Sequence, residues 1–136
     1  MIILKVKCED AKEAISIAGQ LLVDNGFCNE NYKNKMLDFF DEFGSYIVVD
    51  EHIAMPHARP EDGALKSGFS VVTLDPPINF GNEDNDPVSI VFGLVGTNSD
   101  EHINTITKLA DLCNSPNFVK SLINCNNLEE AKALLT

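Results

Sequence analysis

The amino-acid sequence predicts one α/β domain, with a mixed central β-sheet flanked by helices on both faces. The chain has 136 residues, which suits a single domain with a hydrophobic core and is short for two. Helical patterns come first along the chain, strand patterns follow, and helical patterns return, as expected for a sheet covered by helices. The nearly continuous apolar run Val88–Val95 indicates a central strand buried on both faces. We therefore expect residues 1–136 to form one domain.

The first elements are predicted to be a short strand and two amphipathic helices. Ile2–Val6 is β-branched and alternates weakly, as a strand does. Asp10 begins a sequence similar to a capping box, and a helix is expected from there to about Asn25. A second helix is expected from about Asn29 to Gly44. Their predicted core residues are Ala14, Ile15, Ala18, Leu21 and Leu22 in the first helix and Tyr32, Met36, Phe39, Phe40 and Phe43 in the second.

The middle of the chain is predicted to supply most of the sheet. Tyr46–Val49 has the composition of a strand. Residues 68–74 form another predicted strand, which Asp75–Pro77 should close. Residues 79–87 are an acidic loop rich in turn residues, and Val88–Val95 follows as the central strand.

Three helices are predicted after the central strand. The first should be capped within residues 98–100, with Ile103, Ile106, Leu109, Ala110 and Cys113 facing the core. A second, short helix should begin at Ser115, which is followed by a proline at the first helical position. A last helix is expected within residues 127–135.

The chain carries a formal net charge of −11, which limits its partners. Nucleic acid is not expected to bind, because few cations are present to displace counterions from phosphates, and acidic membrane surfaces are disfavoured for the same reason. A basic protein partner suits this charge, although the charge could serve solubility alone. No apolar run is long enough to cross a membrane and no signal peptide opens the chain. We therefore expect a cytoplasmic protein without direct membrane insertion.

The cysteines and the missing nucleotide motifs predict neither a metal nor a cofactor. Cys8, Cys28, Cys113 and Cys125 include no C-x-x-C pair, so they are expected to be buried apolar residues or free thiols. No P-loop is present to bind ATP, and no serine-centred nucleophile elbow occurs.

Residues 52–63, with the sequence HIAMPHARPEDG, hold two of the three histidines and the only arginine. Pro56 favours an extended conformation before it, so a strand ending at Ile53–Met55 would deliver His57 at its carboxyl end. Sites in α/β sheets tend to form at such strand ends. Imidazole is nucleophilic near neutral pH, and the guanidinium of Arg59 matches phosphate oxygens. Together these residues predict capture of a phosphoryl group on His57.

His102 is the second predicted catalytic residue, because it falls in the first turn of the helix after the buried strand. The backbone N–H groups of a helix start attract anions, and that location lowers the pKa of a histidine. If His102 approaches His57, it would hydrogen-bond the phosphoryl group or fix the tautomer of His57.

Structural alternatives exist for each of these residues. Either catalytic candidate could be a surface or packing histidine, and His52 could be a solvated strand residue. Arg59 could pair with Glu61 or Asp62 at the surface, where an ion pair contributes about 0–1 kcal/mol. His52 and His57 match the spacing of metal-binding helices poorly, which leaves a zinc-dependent hydrolase as a minor alternative.

The segment IAMPHARPEDG resembles the active-site segment of the IIA components of the bacterial phosphoenolpyruvate-dependent sugar phosphotransferase system, of the mannitol–fructose type. The resemblance covers nearly the whole chain. Residues 10–37 are similar to the family's first two helices, 65–81 to the strand and turn after the active site, and 86–112 to a buried strand and a helix bearing a second histidine. The stretches PHARPEDG and NFGNEDNDP are most similar to the ascorbate-type subgroup.

This resemblance implies a phosphotransferase component with a phosphohistidine intermediate. His57 would accept the phosphoryl group from a histidine-phosphocarrier protein and pass it to a cysteine of a IIB component, for uptake of an ascorbate-class sugar through a membrane IIC permease. His102 would neighbour His57 in the pocket, and Arg59 would bind phosphate. The sequence departs from the family within residues 38–48, where mannitol-type domains carry an arginine and this chain has none. That role is absent or supplied by Arg59.

The same domain type also occurs as a regulatory module. The alternative function is therefore a phosphorylation-dependent switch that controls a partner protein.

Overall fold

The structure, a computed structural model, describes all residues from Met1 to Thr136. It contains five β-strands and five α-helices. The strands are β1 (Ile2–Val6), β2 (Val48–Asp50), β3 (Ile53–Ala54), β4 (Gly68–Ile78) and β5 (Val88–Val95). The helices are α1 (Ala11–Asp24), α2 (Glu30–Phe43), α3 (Ser99–Cys113), α4 (Pro116–Asn124) and α5 (Leu128–Leu134). None of these helices has the length and hydropathy that crossing a membrane requires.

The five strands form one mixed sheet in the order β1-β4-β5-β3-β2. The pairs β1–β4 and β3–β5 are parallel, and the pairs β4–β5 and β2–β3 are antiparallel. β5 is the middle strand, and every one of its residues is buried. The predicted mixed sheet, with Val88–Val95 at its centre, is confirmed.

Side chains of β5 alternate between two hydrophobic cores, one on each face of the sheet. Val91 and Val95 pack in the core beneath α1 and α2. Ile90 and Phe92 pack in the core beneath α3, α4 and α5. Each buried side chain of this size contributes about 1.5–3 kcal/mol relative to its exposed state. The prediction that helices cover both faces is therefore confirmed.

The helix ends follow from their capping residues. The side chains of Asp10, Asn29 and Asn98 each accept a hydrogen bond from the backbone N–H three residues later, at the starts of α1, α2 and α3. Of the three possible caps predicted for α3, Asn98 is the one used. Gly44 ends α2 with a φ of 64°, which glycine adopts without steric cost.

The strand predicted at Tyr46–Val49 is wrong in its first half. Gly44–Ile47 is a 3₁₀ turn, and β2 begins only at Val48. The aromatic and β-branched composition favours a strand, but the positive φ of Gly44 turns the chain at the end of α2. As a result Ile47 is buried, and Tyr46 is 79% exposed.

The prediction that Asp75–Pro77 closes a strand is also wrong, because β4 runs on to Ile78. The pairing between β4 and β5 shifts register between Thr73 and Ile78. On its other side, β4 pairs with β1 only as far as Leu74. Proline has no backbone N–H to give to a ladder, so it fits a strand at such an interruption.

Two of the predicted core stripes are only partly buried. On α3, Leu109 is buried, whereas Ile103 is 58% exposed and Ala110 is also exposed. On α2, Tyr32 is buried, but Phe43 is 58% exposed. Periodicity identifies the apolar face of a helix but not how far along the helix its neighbours cover that face.

Candidate functional site

His57 lies just after β3, at the carboxyl end of a strand parallel to β5. The backbone N–H of Leu94 donates to the carbonyl of Pro56 at 3.0 Å, so hydrogen bonding to β5 extends beyond Ala54. The predicted strand end at Ile53–Met55 is confirmed to within one residue. His57 is half-buried, while the residues on either side of it are buried. The imidazole therefore stands on a rigid base and is accessible to solvent.

The orientation of the His57 ring is set by its own backbone. Nδ1 lies 2.9 Å from the carbonyl oxygen of Met55. Since a carbonyl only accepts hydrogen bonds, Nδ1 carries the proton in this contact. In the neutral ring this leaves the lone pair on Nε2, on the side of the ring away from the backbone. The geometry therefore presents Nε2 as the nucleophilic atom.

His102 lies beside His57, as the sequence-based hypothesis required. The two ring centroids are 5.1 Å apart, and the ring planes are inclined by 52°. Burial lowers the pKa of His102, and the charge of the neighbouring His57 lowers it further. A lowered pKa keeps the His102 ring neutral near neutral pH, so that it can donate one hydrogen bond and accept another.

The close approach of His102 depends on a glycine. Gly96 follows β5, and a Cβ atom at this position would lie 2.7 Å from Cβ and 2.9 Å from Cα of His102. These separations are well inside ordinary carbon–carbon contact. A larger residue would therefore push the start of α3 away from the end of β5.

A carboxylate and two hydroxyls fix the turn between β5 and α3. The carboxylate of Glu101 accepts hydrogen bonds from the hydroxyls of Ser67 and Thr97. The Ser67 hydroxyl in turn accepts from the backbone N–H of Thr97 at 3.0 Å. The bonds from Ser67 and Thr97 lower the pKa of Glu101, because they stabilise its ionised form. These contacts hold the first turn of α3, which carries His102.

The side chain of Arg59 is exposed and forms no ion pair with Glu61 or Asp62. Its guanidinium carbon lies 5.5 Å from the ring centroid of Phe39, a cation–π contact worth about 0.5–1 kcal/mol at an exposed site. The carboxylate of Asp62 accepts instead from the backbone N–H of Arg59 at 3.0 Å. The surface ion pair considered from the sequence is therefore absent, and the guanidinium is available to an anion.

His57 and Arg59 line one groove of about 510 Å³. Its other lining residues are Phe39, Phe43, Tyr46, Ile47 and Ala58. Exposed aromatic side chains that line a groove are typical of a protein interaction surface. Phe39 is half-buried and packs against the core, as its helical stripe predicted, whereas Phe43, predicted with it, is exposed. No local signal separates a core aromatic from one at the edge of a groove.

His52 takes no part in the pairing of His57 with His102. It lies in the turn between β2 and β3, with a φ of 68°, so it is not a strand residue. Its Nδ1 lies 2.7 Å from the carbonyl of Pro87, and its Nε2 lies 3.2 Å from a carboxylate oxygen of Glu51. No group of three or more His, Cys, Asp or Glu side chains is placed to hold a metal ion.

Comparison with known protein families gives this site a family context. The family model described as "Phosphoenolpyruvate-dependent sugar phosphotransferase system, EIIA 2" matches residues 1–136. The chain therefore belongs to this family, and the resemblance inferred from its motifs is confirmed.

Ascorbate-specific components are among the relatives of this chain. The ascorbate-specific PTS system EIIA component of Escherichia coli (strain K12) is 39% identical over 99 residues, which cover 73% of this chain and 64% of the relative. The chain thus spans less than two thirds of the length of such a relative.

Solved structures show the same fold at higher coverage. IIA mannitol from Escherichia coli superposes with a TM-score of 0.86 at 31% identity, covering 99% of this chain and 95% of the other. A complex of enzyme IIA and phosphorylated enzyme IIB of the Escherichia coli mannitol system matches with a TM-score of 0.87 at 31% identity, covering 98% and 92%.

Proposed function

We propose that this protein is a phosphoryl carrier, which receives a phosphoryl group on His57 and passes it on during sugar uptake. The observation that carries the proposal is the 2.9 Å contact between Nδ1 of His57 and the Met55 carbonyl, which leaves Nε2 as the nucleophile. His102 beside this ring and the unpaired guanidinium of Arg59 support the same role.

The transfer needs neither metal nor cofactor when the donor is itself a phosphohistidine. Nε2 of His57 attacks the phosphorus in line and forms a new N–P bond. The N–P bond of the donor breaks, and its electron pair returns to the donor ring. The His57 ring gains positive charge in this step, and the Met55 carbonyl stabilises that charge through Nδ1–H. Positioning thus supplies most of the catalysis.

His102 and Arg59 complement the charge of the transferring oxygens. Because burial lowers its pKa, the His102 ring is neutral and donates through one N–H. Arg59 supplies a permanent cation whose planar fork matches phosphate oxygens. This local cation matters because the net charge of −11 repels a phosphoryl dianion on average.

The groove beside His57 suits two protein partners in turn, a histidine-phosphocarrier protein as donor and the cysteine of a IIB component as acceptor. Phe43 and Tyr46 supply exposed aromatic contact area. The acidic net charge speeds encounter with a basic donor. The structural relative bound to a phosphorylated IIB supports the choice of acceptor.

The proposed setting is the cytoplasm, where the IIB component would serve a membrane IIC permease. A relative with 39% identity is ascorbate-specific, which favours a sugar of the ascorbate class. A IIA domain need not touch the sugar, so this class of sugar is favoured by the likeness to the relative and not by residues of the site.

Incubation with phosphoenolpyruvate and the general phosphotransferase proteins tests the proposal. Mass spectrometry should show one phosphoryl group on His57 of the wild-type protein and none on the His57→Gln variant. His52→Gln is the matched control and should keep its label, because His52 lies in a different turn. An unlabelled wild type, or a labelled His57→Gln, would contradict the proposal.

Addition of a cognate IIB component separates the two functions that the family allows. The carrier function predicts that IIB removes the label from His57. A label on His57 that no IIB component accepts would favour the regulatory switch.

A further inference from the structure

The register of β3 against β5 continues beyond the end of β3. Ala54 pairs with Val91 in these parallel strands, and the same offset sets His57 opposite Leu94. A parallel bridge there requires two hydrogen bonds, one on each side of His57. The first is present, because the N–H of Leu94 donates to the carbonyl of Pro56 at 3.0 Å.

The second bond, from the N–H of Ala58 to the carbonyl of Leu94, is interrupted by a side chain. The Tyr32 hydroxyl lies between these two groups, accepting from the Ala58 N–H at 3.1 Å and donating to the Leu94 carbonyl at 2.7 Å. The Ala58 carbonyl is a more distant second acceptor, 3.3 Å from the same oxygen. Tyr32 is fully buried on α2. A single oxygen atom thus replaces a direct strand-to-strand bond and holds Ala58 away from β5.

His57 is the residue enclosed between the direct bond and the interrupted one. The chain before it stays on the sheet, and the chain after it leaves the sheet at Ala58. From this fixed backbone the His57 ring turns back, so that Nδ1 meets the Met55 carbonyl. We propose that the Tyr32 hydroxyl is the positioning group for His57, setting where the chain leaves β5 and thereby the direction of Nε2. This inference rests on the proposed function, since it concerns the orientation of the phosphorylated ring.

If Tyr32 only filled space in the core, its aromatic ring would be sufficient and its hydroxyl would not be needed. Phenylalanine would fill the same space in the core. It would leave the Ala58 N–H without a partner, or let Ala58 close directly onto Leu94. Either change loosens or moves the chain next to His57. A displacement of about 1 Å at a reacting group can lower a rate about a hundredfold.

The test compares Tyr32→Phe with Leu122→Ala, which truncates a fully buried residue in the core on the other face of the sheet. Both are studied with sucrose present, which favours the compact state. Single-turnover transfer from the phosphorylated carrier protein gives the rate constant and the half-saturating donor concentration. Tyr32→Phe should lower the rate constant about 10- to 100-fold, change the half-saturating concentration less than about twofold, and shift the ¹⁵N resonances of His57. Leu122→Ala should change none of these quantities.

The outcomes separate this inference from the proposed function. If Tyr32→Phe transfers at the wild-type rate with unchanged His57 resonances, the role of Tyr32 is overturned and the carrier function stands. If wild type takes no label on His57, the carrier function fails, while the ring resonances of Tyr32→Phe still test the positioning.

If Tyr32→Phe does not fold even in sucrose, hydrogen exchange of the wild-type protein tests the inference instead. The Ala58 amide of the wild type should exchange slowly, because it donates to a buried oxygen. Exchange at the rate of an unprotected amide would overturn the inference.

Discussion

The ring centroids of His57 and His102 lie 5.1 Å apart, although His57 follows β3 and His102 lies in the first turn of α3. β5 brings the two rings together, because β3, which precedes His57, pairs with β5, and α3, which carries His102, follows β5 in the chain. Two imidazoles at this distance repel each other when both are protonated. Burial lowers the pKa of His102, and this repulsion from His57 lowers it further.

The lowered pKa of His102 predicts a loss of stability in acid. Because the folded-state pKa lies below the unfolded value of about 6.5, the unfolded chain binds more protons as the pH falls through that value. Urea unfolding at about pH 7.5 and about pH 5.5 should show a larger loss of unfolding free energy for wild type than for His102→Gln. Equal losses in the two proteins would show that His102 is not held neutral by folding.

A methyl group at Gly96 should separate the two histidines. Gly96→Ala places a Cβ 2.7 Å from Cβ of His102, and the forced shift of α3 should destabilise the fold by about 1–3 kcal/mol and slow phosphoryl transfer about tenfold. Gly81→Ala is the matched control. Its φ of 96° strains alanine through the backbone, but nothing lies within 4 Å of the added methyl group, so the control separates backbone strain from the clash with His102. Transfer at the wild-type rate by Gly96→Ala would show that the spacing of the rings is not critical.

Removal of the only arginine should impair transfer more than docking. Arg59→Ala is expected to lower the rate constant at saturating donor about 10- to 100-fold, and Arg59→Lys should restore part of it, because lysine keeps the charge without the fork. Lys66→Ala is the control, since Lys66 also contacts an aromatic ring, with Nζ 4.9 Å from the Phe27 centroid. A change confined to the half-saturating donor concentration would assign Arg59 to the interface instead.

The groove should contribute affinity for the donor without affecting the chemical step. Phe43 is 58% exposed, and Phe43→Ala should weaken donor binding by about 1–2 kcal/mol while leaving the saturated rate unchanged. Leu128→Ala on α5, where Leu128 is 48% exposed, is the control for loss of exposed apolar area. Calorimetric titration with the donor protein measures the binding affinity of each variant. Equal affinities for Phe43→Ala and wild type would place the docking surface elsewhere.

Most of the fold could be predicted because its signals are local. The capping side chains of Asp10 and Asn98, the apolar run of β5 and the stripe on α1 depend only on neighbouring residues. The errors arose where distant contacts decide the outcome. The prolines after Leu74 sit in a strand because the pairing with β5 shifts there, which the sequence of β4 alone does not reveal.

The residues of the site also fall into those that local sequence predicts and those that it does not. His57, His102 and Arg59 could be selected from residue type and spacing, and the structure brings the two histidines together. The roles of Gly96 and Tyr32 could not be predicted. Gly96 contacts His102, which lies on the next element, and Tyr32 bonds to Leu94, which is 62 residues away in the chain. A glycine after a strand and a tyrosine in a helical stripe have ordinary local explanations, so only the packed structure distinguishes them.

In the proposed transfer, Nε2 of His57 receives the phosphoryl group while Nδ1 keeps its proton on the Met55 carbonyl. The most direct measurement is ¹⁵N and ³¹P NMR of the protein phosphorylated by its carrier protein. We predict phosphorus coupled to Nε2 of His57, with Nδ1 still protonated. Phosphorus attached to Nδ1, or to any other residue, would contradict the account.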